Sequence, residues 1–347
     1  MNGDFNAHSS IQDYYGQVLQ SSADLQTSAC CLAEKLPPHV LSALKNVHEE
    51  VKDRFYGCGS PIPSALDGIT VLDLGSGSGR DCYVLSQLVG PKGRVIGLDM
   101  TNEQLAVARK TQGWHAEKFG WANTEFVQGY IEDLAGAGIA DASVDLVISN
   151  CVLNLSPDKP RVFAEIFRVL KPGGELYFSD VFSDRRIPKH LAEDPVMLGE
   201  CLGGAMYLED FRRMMAKVGC ADARVISSSP LVVNNPVLEQ QAGNINFFSN
   251  TVRAFKLGLE DRCEDFGQVA TYLGTMPESP NFFDLDDHHH FITGKPMLVC
   301  GNTADMVGST RYGKHFKLMG EKAVHYGMFD CGPMPSAAAS ATGGACC

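Results

Sequence analysis

The residues with most to offer chemically lie in Val71-Leu-Asp-Leu-Gly-Ser-Gly-Ser-Gly-Arg-Asp81 and, shortly after, in Arg94-Val-Ile-Gly-Leu-Asp99. An apolar run meets the alternating glycines Gly75, Gly77 and Gly79 and then gives way to a helical pattern. Glycine carries no Cβ, so the backbone there can turn tightly and approach a ligand closely. The second apolar run ends in Asp99, a carboxylate placed to accept from both hydroxyls of a ribose. The two stretches together describe a site for a nucleoside.

Charge narrows the choice of nucleoside. A dinucleotide site reads G-x-G-x-x-G and seats a pyrophosphate on a helix N-terminus. Here the run is Gly75-Ser-Gly-Ser-Gly79, with Asp73 before it and Arg80-Asp81 after it. Acids around the turn repel a pyrophosphate and suit a cation. S-adenosylmethionine fits, with its sulfonium, its ammonium and its ribose. Asp73, Gly75, Gly77 and Asp99 are its leading candidates, with Arg80 and Met100 beside them. Glu132, after Ile131, faces the adenine in this reading, because a carboxylate can accept from the exocyclic amine. The bland alternatives are a structural glycine turn, a solvated acidic turn at Glu132, and solvated or helix-capping roles for Asp81 and Asp133.

Composition sets limits on the rest. A formal net charge of −12 argues against a nucleic-acid partner, since phosphates need clustered Lys and Arg. The start, Met1-Asn-Gly-Asp-Phe, lacks the basic and apolar regions of a signal peptide, and no apolar run is long enough to cross a bilayer. Gly344 stands where a prenylation box needs cysteine. The expectation is a cytosolic protein without a membrane partner, and a monomer for want of a coiled-coil pattern. The 12 cysteines contain no C-x-x-C pair, which excludes a local zinc knuckle and leaves room for a site assembled from distant segments.

The elements that must position these residues alternate clearly from Gly68 onward. Strands are expected at Ile69–Leu74, Val95–Asp99, Glu125–Gln128, Asp145–Ser149 and Glu175–Phe178. Between them come a helix over Arg80–Val89, one opening at Thr101 with Gln104 completing a capping box, and one from Ser156-Pro157 to Leu170. That order implies an α/β doubly wound, Rossmann-like parallel sheet with helices on both faces. Ligands of such sheets bind at the strand carboxyl ends, where Gly75, Asp99, Glu132 and Cys151 all fall. A helical preface occupies residues 1–67, including Asp13-Tyr-Tyr-Gly-Gln-Val-Leu and a helix over Val40–Val51. Later helices are expected near Glu193–Glu200 and over Leu208–Val218. The divisions read as 1–67, 68–185, 186–255, a less regular region 256–334 of no assigned role, and a low-complexity, disordered tail 335–347. Asp286-Asp-His-His-His290 is a possible metal site but reads better as a solvated loop.

From about residue 10 to 255 the chain resembles arsenite methyltransferases of the animal and algal type. The resemblance is carried by Tyr14-Tyr-Gly-Gln-Val-Leu, Ser22-Ala-Asp-Leu-Gln-Thr, Asn46-Val-His-Glu-Glu-Val, Tyr56-Gly-Cys-Gly, Leu72-Asp-Leu-Gly-Ser-Gly-Ser-Gly-Arg-Asp-Cys-Tyr-Val-Leu-Ser, Ser149-Asn-Cys-Val, Gly173-Gly-Glu-Leu-Tyr-Phe-Ser-Asp and Gly199-Glu-Cys-Leu-Gly-Gly204. It implies a class I methyltransferase fold, S-adenosylmethionine as cofactor, no required metal, and arsenite, as a thiol conjugate, as substrate for one or two methylations. It places an arsenic-binding insertion within 186–255. It also implies that Cys58, Cys151 and Cys201 hold trivalent arsenic, which is soft and prefers thiolates. Cys30, which has Cys31 as an adjacent thiol, would pair with Cys58 in a transient disulfide reduced by thioredoxin or glutathione. Tyr56 and Asn150 would contact the methionine end of the cofactor. Cys82 and Cys220 read as packing residues, Cys346-Cys347 as incidental, and Cys263, Cys300 and Cys331 receive no role.

Three other functions compete. A nicotinamide-dependent oxidoreductase is disfavoured by the glycine spacing and the acids. A thiol-rich sequestering protein would bind arsenite without methylating it. A methyltransferase acting on carbon, nitrogen or oxygen would not need the three thiols.

Overall fold

The odd and even positions of each apolar run decide which face of the sheet a side chain enters. In a computed structural model describing His8, Ile11 and residues 36–55, 61–233 and 235–331, the leading strands are β1 (Thr70–Leu74), β2 (Arg94–Asp99), β3 (Thr124–Gln128), β4 (Val144–Asn150) and β5 (Leu170–Ser183). Val71, Val95, Leu146 and Ile148 enter one core with Tyr83, Leu85, Leu105 and Ala108. Leu72, Leu74, Ile96, Leu98 and Val147 enter the opposite core with Phe163, Ile166 and Phe211. Asp73 shares the parity of Val71, so its carboxyl is directed onto the first of these faces.

The helices are α1 (Pro38–Leu44), α2 (Glu49–Lys52), α3 (Arg80–Val89), α4 (Asn102–Phe119), α5 (Lys159–Val169), α6 (Lys189–Ala192), α7 (Pro195–Gly199), α8 (Leu208–Lys217) and α9 (Pro236–Ala242). The sheet gains β6 (Met206–Tyr207), β7 (Arg224–Leu231) and β8 (Phe247–Phe255). Its order is β3-β2-β1-β4-β5-β8-β7, with β6 beside β5. The strands β1 to β6 pair in parallel, whereas β8 runs antiparallel to both β5 and β7. The sheet is therefore Rossmann-like but mixed, where the alternation pattern had suggested parallel strands throughout. The order reverses between β1 and β4, and the crevice for a ligand opens at that switch.

Several expected elements differ in detail, each for a local reason. The helix expected over Val40–Val51 is two helices. The His48 backbone amide donates to His115 Nε2 at 3.1 Å, and His48 Nδ1 accepts from the Glu50 amide to restart the chain as α2. The Thr101 side chain makes no cap on α4 and bonds Asp99 instead, so the capping box with Gln104 does not form. The helix expected from Ser156 begins at Lys159, because the Asp158 side chain accepts from the Arg161 amide at 3.1 Å. Near Glu193–Glu200 there are two short helices, since Asp194 accepts from the Val196 and Met197 amides and Pro195 opens a new first turn. The preface around Asp13–Leu19 and the tail after Cys331 lie outside the described residues.

The chain divides into two compact units, Met1–Leu259 and Glu260–Cys347. The region expected to be irregular has a core of its own. It comprises β9 (Glu264–Asp265), β10 (Gln268–Tyr272), β11 (Phe282–Asp284), β12 (His290–Ile292), β13 (Pro296–Val299), α10 (Gly301–Gly308), β14 (Phe316–Met319) and β15 (Gly327–Met328). These form a β13-β10-β14 sheet and the two ribbons β11-β12 and β15-β9. Tyr272, Phe283, Phe291, Tyr312 and Phe316 pack ring to ring inside it. Asp286 and His289 are buried, not in a solvated loop: the Asp286 carboxylate accepts from the His288 and His289 amides and from His289 Nδ1.

Within the first unit, Arg253 on β8 donates to Glu175 on β5 at 2.8 Å, both fully buried, with the guanidinium near the rings of Tyr177 and Phe255. Removing one partner strands a charge in the core. Arg253→Leu is expected to lower stability to urea unfolding by about 3–5 kcal/mol. The double variant Glu175→Leu/Arg253→Leu should recover most of that loss, and a loss as large as in the single variant would show that packing, not the charge, matters there.

Candidate functional site

At the switch between β1 and β4 the chain leaves β1 through Gly75, Gly77 and Gly79, all with positive φ. A Cβ at Gly75 would run into the side chain of Val152, so glycine is required for space as well as for conformation. The turn delivers the chain into α3. Its Cys82 thiol donates to Asp73 Oδ2 at 3.2 Å, across the position of Gly97 on β2. A Cβ at Gly97 would lie 2.8 Å from Cys82 Sγ, and that close approach is what admits the thiol. Cys82 is thus buried, as expected, but it also positions the Asp73 carboxyl.

A cleft enclosing about 970 Å³ of open space lies over these strand ends. Asp73, Gly75, Gly77, Asp99, Met100, Ile131, Glu132, Asn150 and Cys151 all line it. Asp99 accepts from the Gly77 amide at 2.8 Å through Oδ2 and from the Thr101 amide at 2.8 Å through Oδ1. The Thr101 hydroxyl and the Met100 amide also bond this carboxylate, which fixes it at the rim of the cleft. Glu132 receives the Ser156 hydroxyl and lies 3.2 Å from His8 Nε2. Arg80 does not line the cleft. It pairs with Asp81 at 2.8 Å and stacks over Phe55. Asp81 itself lines the cleft, is buried, and faces the Asn150 amide nitrogen at 3.4 Å, so it is neither solvated nor a simple cap. Asp133 is the ordinary case, accepting from the Gly136 amide at an exposed turn.

Burial raises Asp73 to about 8, reinforced by the nearby Asp81 carboxylate and opposed by the Cys82 hydrogen bond. Burial also raises Asp99, against the pull of the Thr101 and Gly77 amides. At neutral pH Asp73 therefore holds a proton that a cationic ligand would displace. The donor set therefore suits a cofactor with an ammonium, a sulfonium and a ribose.

Deeper in the cleft wall, Cys151 follows β4 and Cys201 follows α7. Both take positive φ, at 57° and 62°, in a region that L-residues other than glycine, Asn and Asp seldom visit. Cys201 occupies the left-handed position just past a helix end, where glycine is the usual choice. The Leu202 and Gly203 amides reach back to the Met197 carbonyl around it. Gly204 packs directly on the Asn154 carbonyl, which gives Gly199-Glu-Cys-Leu-Gly-Gly204 a structural reason for its glycines. The Cys151 amide donates to the Ser179 carbonyl, and Cys201 Sγ donates to the Cys151 carbonyl at 3.3 Å. Strain of this kind is held only where surrounding contacts fix it.

The sulfurs of Cys151 and Cys201 and the carboxylate of Asp180 lie within 4.8 Å of one another. Cys201 carries a thiol, and Cys151 is disulfide-bonded. Asp180 is a residue that the spacing arguments passed over, although it ends the string Gly173-Gly-Glu-Leu-Tyr-Phe-Ser-Asp; it is fully buried on β5. Burial raises it to about 7, opposed by the Val181 and Asn154 amides and by Lys159. Cys30, Tyr56 and Cys58 lie outside the described residues. The described N-terminal segment ends at Phe55, on the cleft wall, where Ser78 Oγ donates to the Val51 and Arg54 carbonyls.

The fold and this cleft define a class I S-adenosylmethionine-dependent methyltransferase, and a family model described as "Methyltransferase domain" matches residues 65–219. The arsenite methyltransferase of Aquipseudomonas alcaligenes is 51% identical over 345 residues, covering 98% of this chain and 100% of its own. The human arsenite methyltransferase is 45% identical over 320 residues, covering 90% and 84%. A crystal structure of an arsenic(III) S-adenosylmethionine methyltransferase from Chlamydomonas reinhardtii superposes with a TM-score of 0.82 at 52% identity, over 85% of this chain and 100% of that one. The chain belongs to the arsenite methyltransferase family.

The raised carboxyls set a direction for stability. Unfolded aspartates titrate near 4, so at about pH 5–7 the native state holds protons on Asp73 and Asp180 that the unfolded chain lacks. Stability of the ligand-free protein should then fall as pH rises, by up to about 1.4 kcal/mol per pH unit for each group. Asp180→Asn should reduce that slope in urea unfolding series. Stability that is flat or rising across the same window would contradict protonated native carboxyls.

Proposed function

We propose that this enzyme methylates trivalent arsenic held as a thiolate by Cys151 and Cys201, with Cys58 as third ligand, beside a cofactor seated over Asp73 and Asp99. The single observation that carries this reading is the convergence of the Cys151 and Cys201 sulfurs, both on left-handed backbone, with Cys151 on the wall of the acidic cleft and Cys201 buried behind it. Bound S-adenosylmethionine supplies an electrophilic methyl group on a sulfonium. Asp73 takes its ammonium, Asp99 its ribose hydroxyls and Glu132 its adenine amine. Gly75 and Gly77 let the backbone approach it, Met100 and Ile131 pack on it, and Tyr56 and Asn150 meet its methionine end. Arg80 acts through Asp81, which it holds toward Asn150.

Once thioredoxin or glutathione has reduced the Cys151 disulfide by thiol exchange, arsenite, presented as a thiol conjugate, exchanges its ligands for protein thiolates, and arsenic keeps one lone pair. Cys151 and Cys201 hold that lone pair toward the methyl group, and rate comes from proximity and alignment. Transfer would form an As–C bond from the lone pair while the sulfonium S–CH3 bond breaks, its electron pair staying on sulfur to leave S-adenosylhomocysteine, and arsenic would rise from +3 to +5. Two thiolates then give up two electrons, join as a disulfide, and return arsenic to the trivalent state. The pair assigned to this step is Cys30 and Cys58, with thioredoxin or glutathione restoring the thiols by exchange. A disulfide at Cys151 with the Cys201 thiol beside it supports thiol exchange as chemistry available to this site. Mono- and dimethylated arsenicals are the products, and no metal is required. We read the enzyme as a cytosolic monomer; separately, none of the described helices is long and apolar enough to cross a membrane.

Arsenic speciation tests the reading. The native enzyme, given arsenite, S-adenosylmethionine and thioredoxin or glutathione, should form methylated arsenicals. Cys151→Ser and Cys201→Ser should each lose at least about 100-fold in rate, as expected when a fixed reacting geometry is lost, while still binding S-adenosylmethionine. Near-native methylation by either variant would remove that residue from the reaction.

A further inference from the structure

The sulfurs of Cys263, Cys300 and Cys331 all lie within 4.8 Å of one another, in the unit Glu260–Cys347. Sequence spacing gave no hint of this, because the three come from separate elements. The β9-β15 ribbon explains two of them. Glu264 faces Met328, and the Phe329 amide donates to the Cys263 carbonyl at 2.7 Å. Cys331 lies two residues beyond Phe329, so it is the diagonal neighbour of Cys263 on the same face. Cys300 comes from the N-cap of α10, where its sulfur accepts from the Thr303 amide at 3.4 Å.

A supporting chain of polar groups ends on this sulfur. The buried Asp286 carboxylate holds His289 Nδ1 at 2.8 Å. His289 Nε2 reaches the Thr303 hydroxyl at 3.4 Å, and that hydroxyl is 3.3 Å from Cys300 Sγ. Carboxylate–imidazole relays of this form commonly orient the ligands of metal sites. Cys300 is fully buried, Cys263 and Cys331 are partly exposed, and all three carry thiols. A bound atom could therefore enter from the ribbon side and seat against Cys300.

We propose that Cys263, Cys300 and Cys331 form a second site for trivalent arsenic, separate from the methyl-transfer cleft and needing no S-adenosylmethionine. Three soft sulfurs match the three bonds of arsenic(III), whose lone pair takes the fourth position. Zinc seeks a fourth ligand, and among the described residues no further His, Cys, Asp or Glu joins the group. Loading is ligand exchange without oxidation. Three As–O bonds of arsenous acid break, three As–S bonds form, and three thiol protons leave with the hydroxyls as water. The site takes its ligand class from the family's substrate but does not depend on the roles given to Cys151 and Cys201.

The test uses the full chain carrying Cys151→Ser and Cys201→Ser, so that the transfer site cannot contribute. It is titrated with arsenite in a non-thiol reductant and examined by arsenic X-ray absorption. One arsenic per chain with three sulfur neighbours is expected, and adding Cys263→Ser, Cys300→Ser and Cys331→Ser should abolish it. Should that variant fail to fold, Cys331→Ser alone should reduce the sulfur neighbours from three to two. Thr303→Val, which keeps all three thiols, should retain three sulfur neighbours and bind arsenite about 10-fold more weakly. Equal arsenic binding with and without the three cysteines would overturn the proposal. So would stoichiometric zinc held by these thiols and not displaced by arsenite.

Discussion

Burying carboxyl groups at the ends of parallel strands is unfavourable unless something compensates, and the methyl-transfer cleft is organised around that constraint. Asp73 sits on the α3 side of β1, where the Cys82 thiol donates to it and the Asp81 carboxylate adds repulsion. Asp99 is held by two backbone amides. The glycines at 75, 77 and 79 bend the chain so that the Gly77 amide reaches Asp99, and Gly97 leaves room for Cys82. Without a cation the carboxyls are driven toward their neutral forms. A ligand carrying positive charge restores the ionised state and gains attraction from it. In the proposed reading these acids disfavour a pyrophosphate and favour a sulfonium cofactor.

The thiol chemistry lies one strand over. The switch between β1 and β4 puts Cys151 at the same rim as Asp73, while the turn after α7 brings the Cys201 sulfur to 3.3 Å from the Cys151 carbonyl. Both cysteines occupy backbone that glycine would adopt more easily, a cost of about 1–3 kcal/mol each. That cost is consistent with selection for the side chain. Asp180, raised to about 7, keeps a group able to exchange protons beside the two sulfurs at neutral pH.

Much of the cleft was legible in the sequence because its residues are local to strand ends. The run from Asp73 to Gly79 carries its own turn geometry, and alternating apolar positions fix where Asp99 and Asn150 emerge. What escaped was set by contacts between distant segments. Asp81 looked like a helix-capping acid until Asn150 and Arg80 were seen around it. Asp180 lay inside a quoted string without a role, since burial of a strand-end acid depends on Asn154 and on the loop above. The Val40–Val51 helix broke at His48, because His115, far along the chain, claimed a backbone amide. Antiparallel β7 and β8 could not be read from periodicity, which carries no strand direction. The C-terminal unit was read least well: its strands are only two to five residues long and its core is aromatic, so neither helical nor alternating patterns extend far enough to register.

The most direct measurement is the pH dependence of S-adenosylmethionine binding to the native enzyme and to Asp73→Asn, by calorimetry in buffers of different ionisation enthalpy. Between about pH 5.5 and 7 the ligand's ammonium stays charged while Asp73 in the free enzyme is protonated. Affinity should rise toward tenfold per pH unit, with a proton released on binding, and Asp73→Asn should bind more weakly and lose both effects. Affinity independent of pH, with no proton released, would contradict a cleft in which a buried carboxyl selects the cationic cofactor.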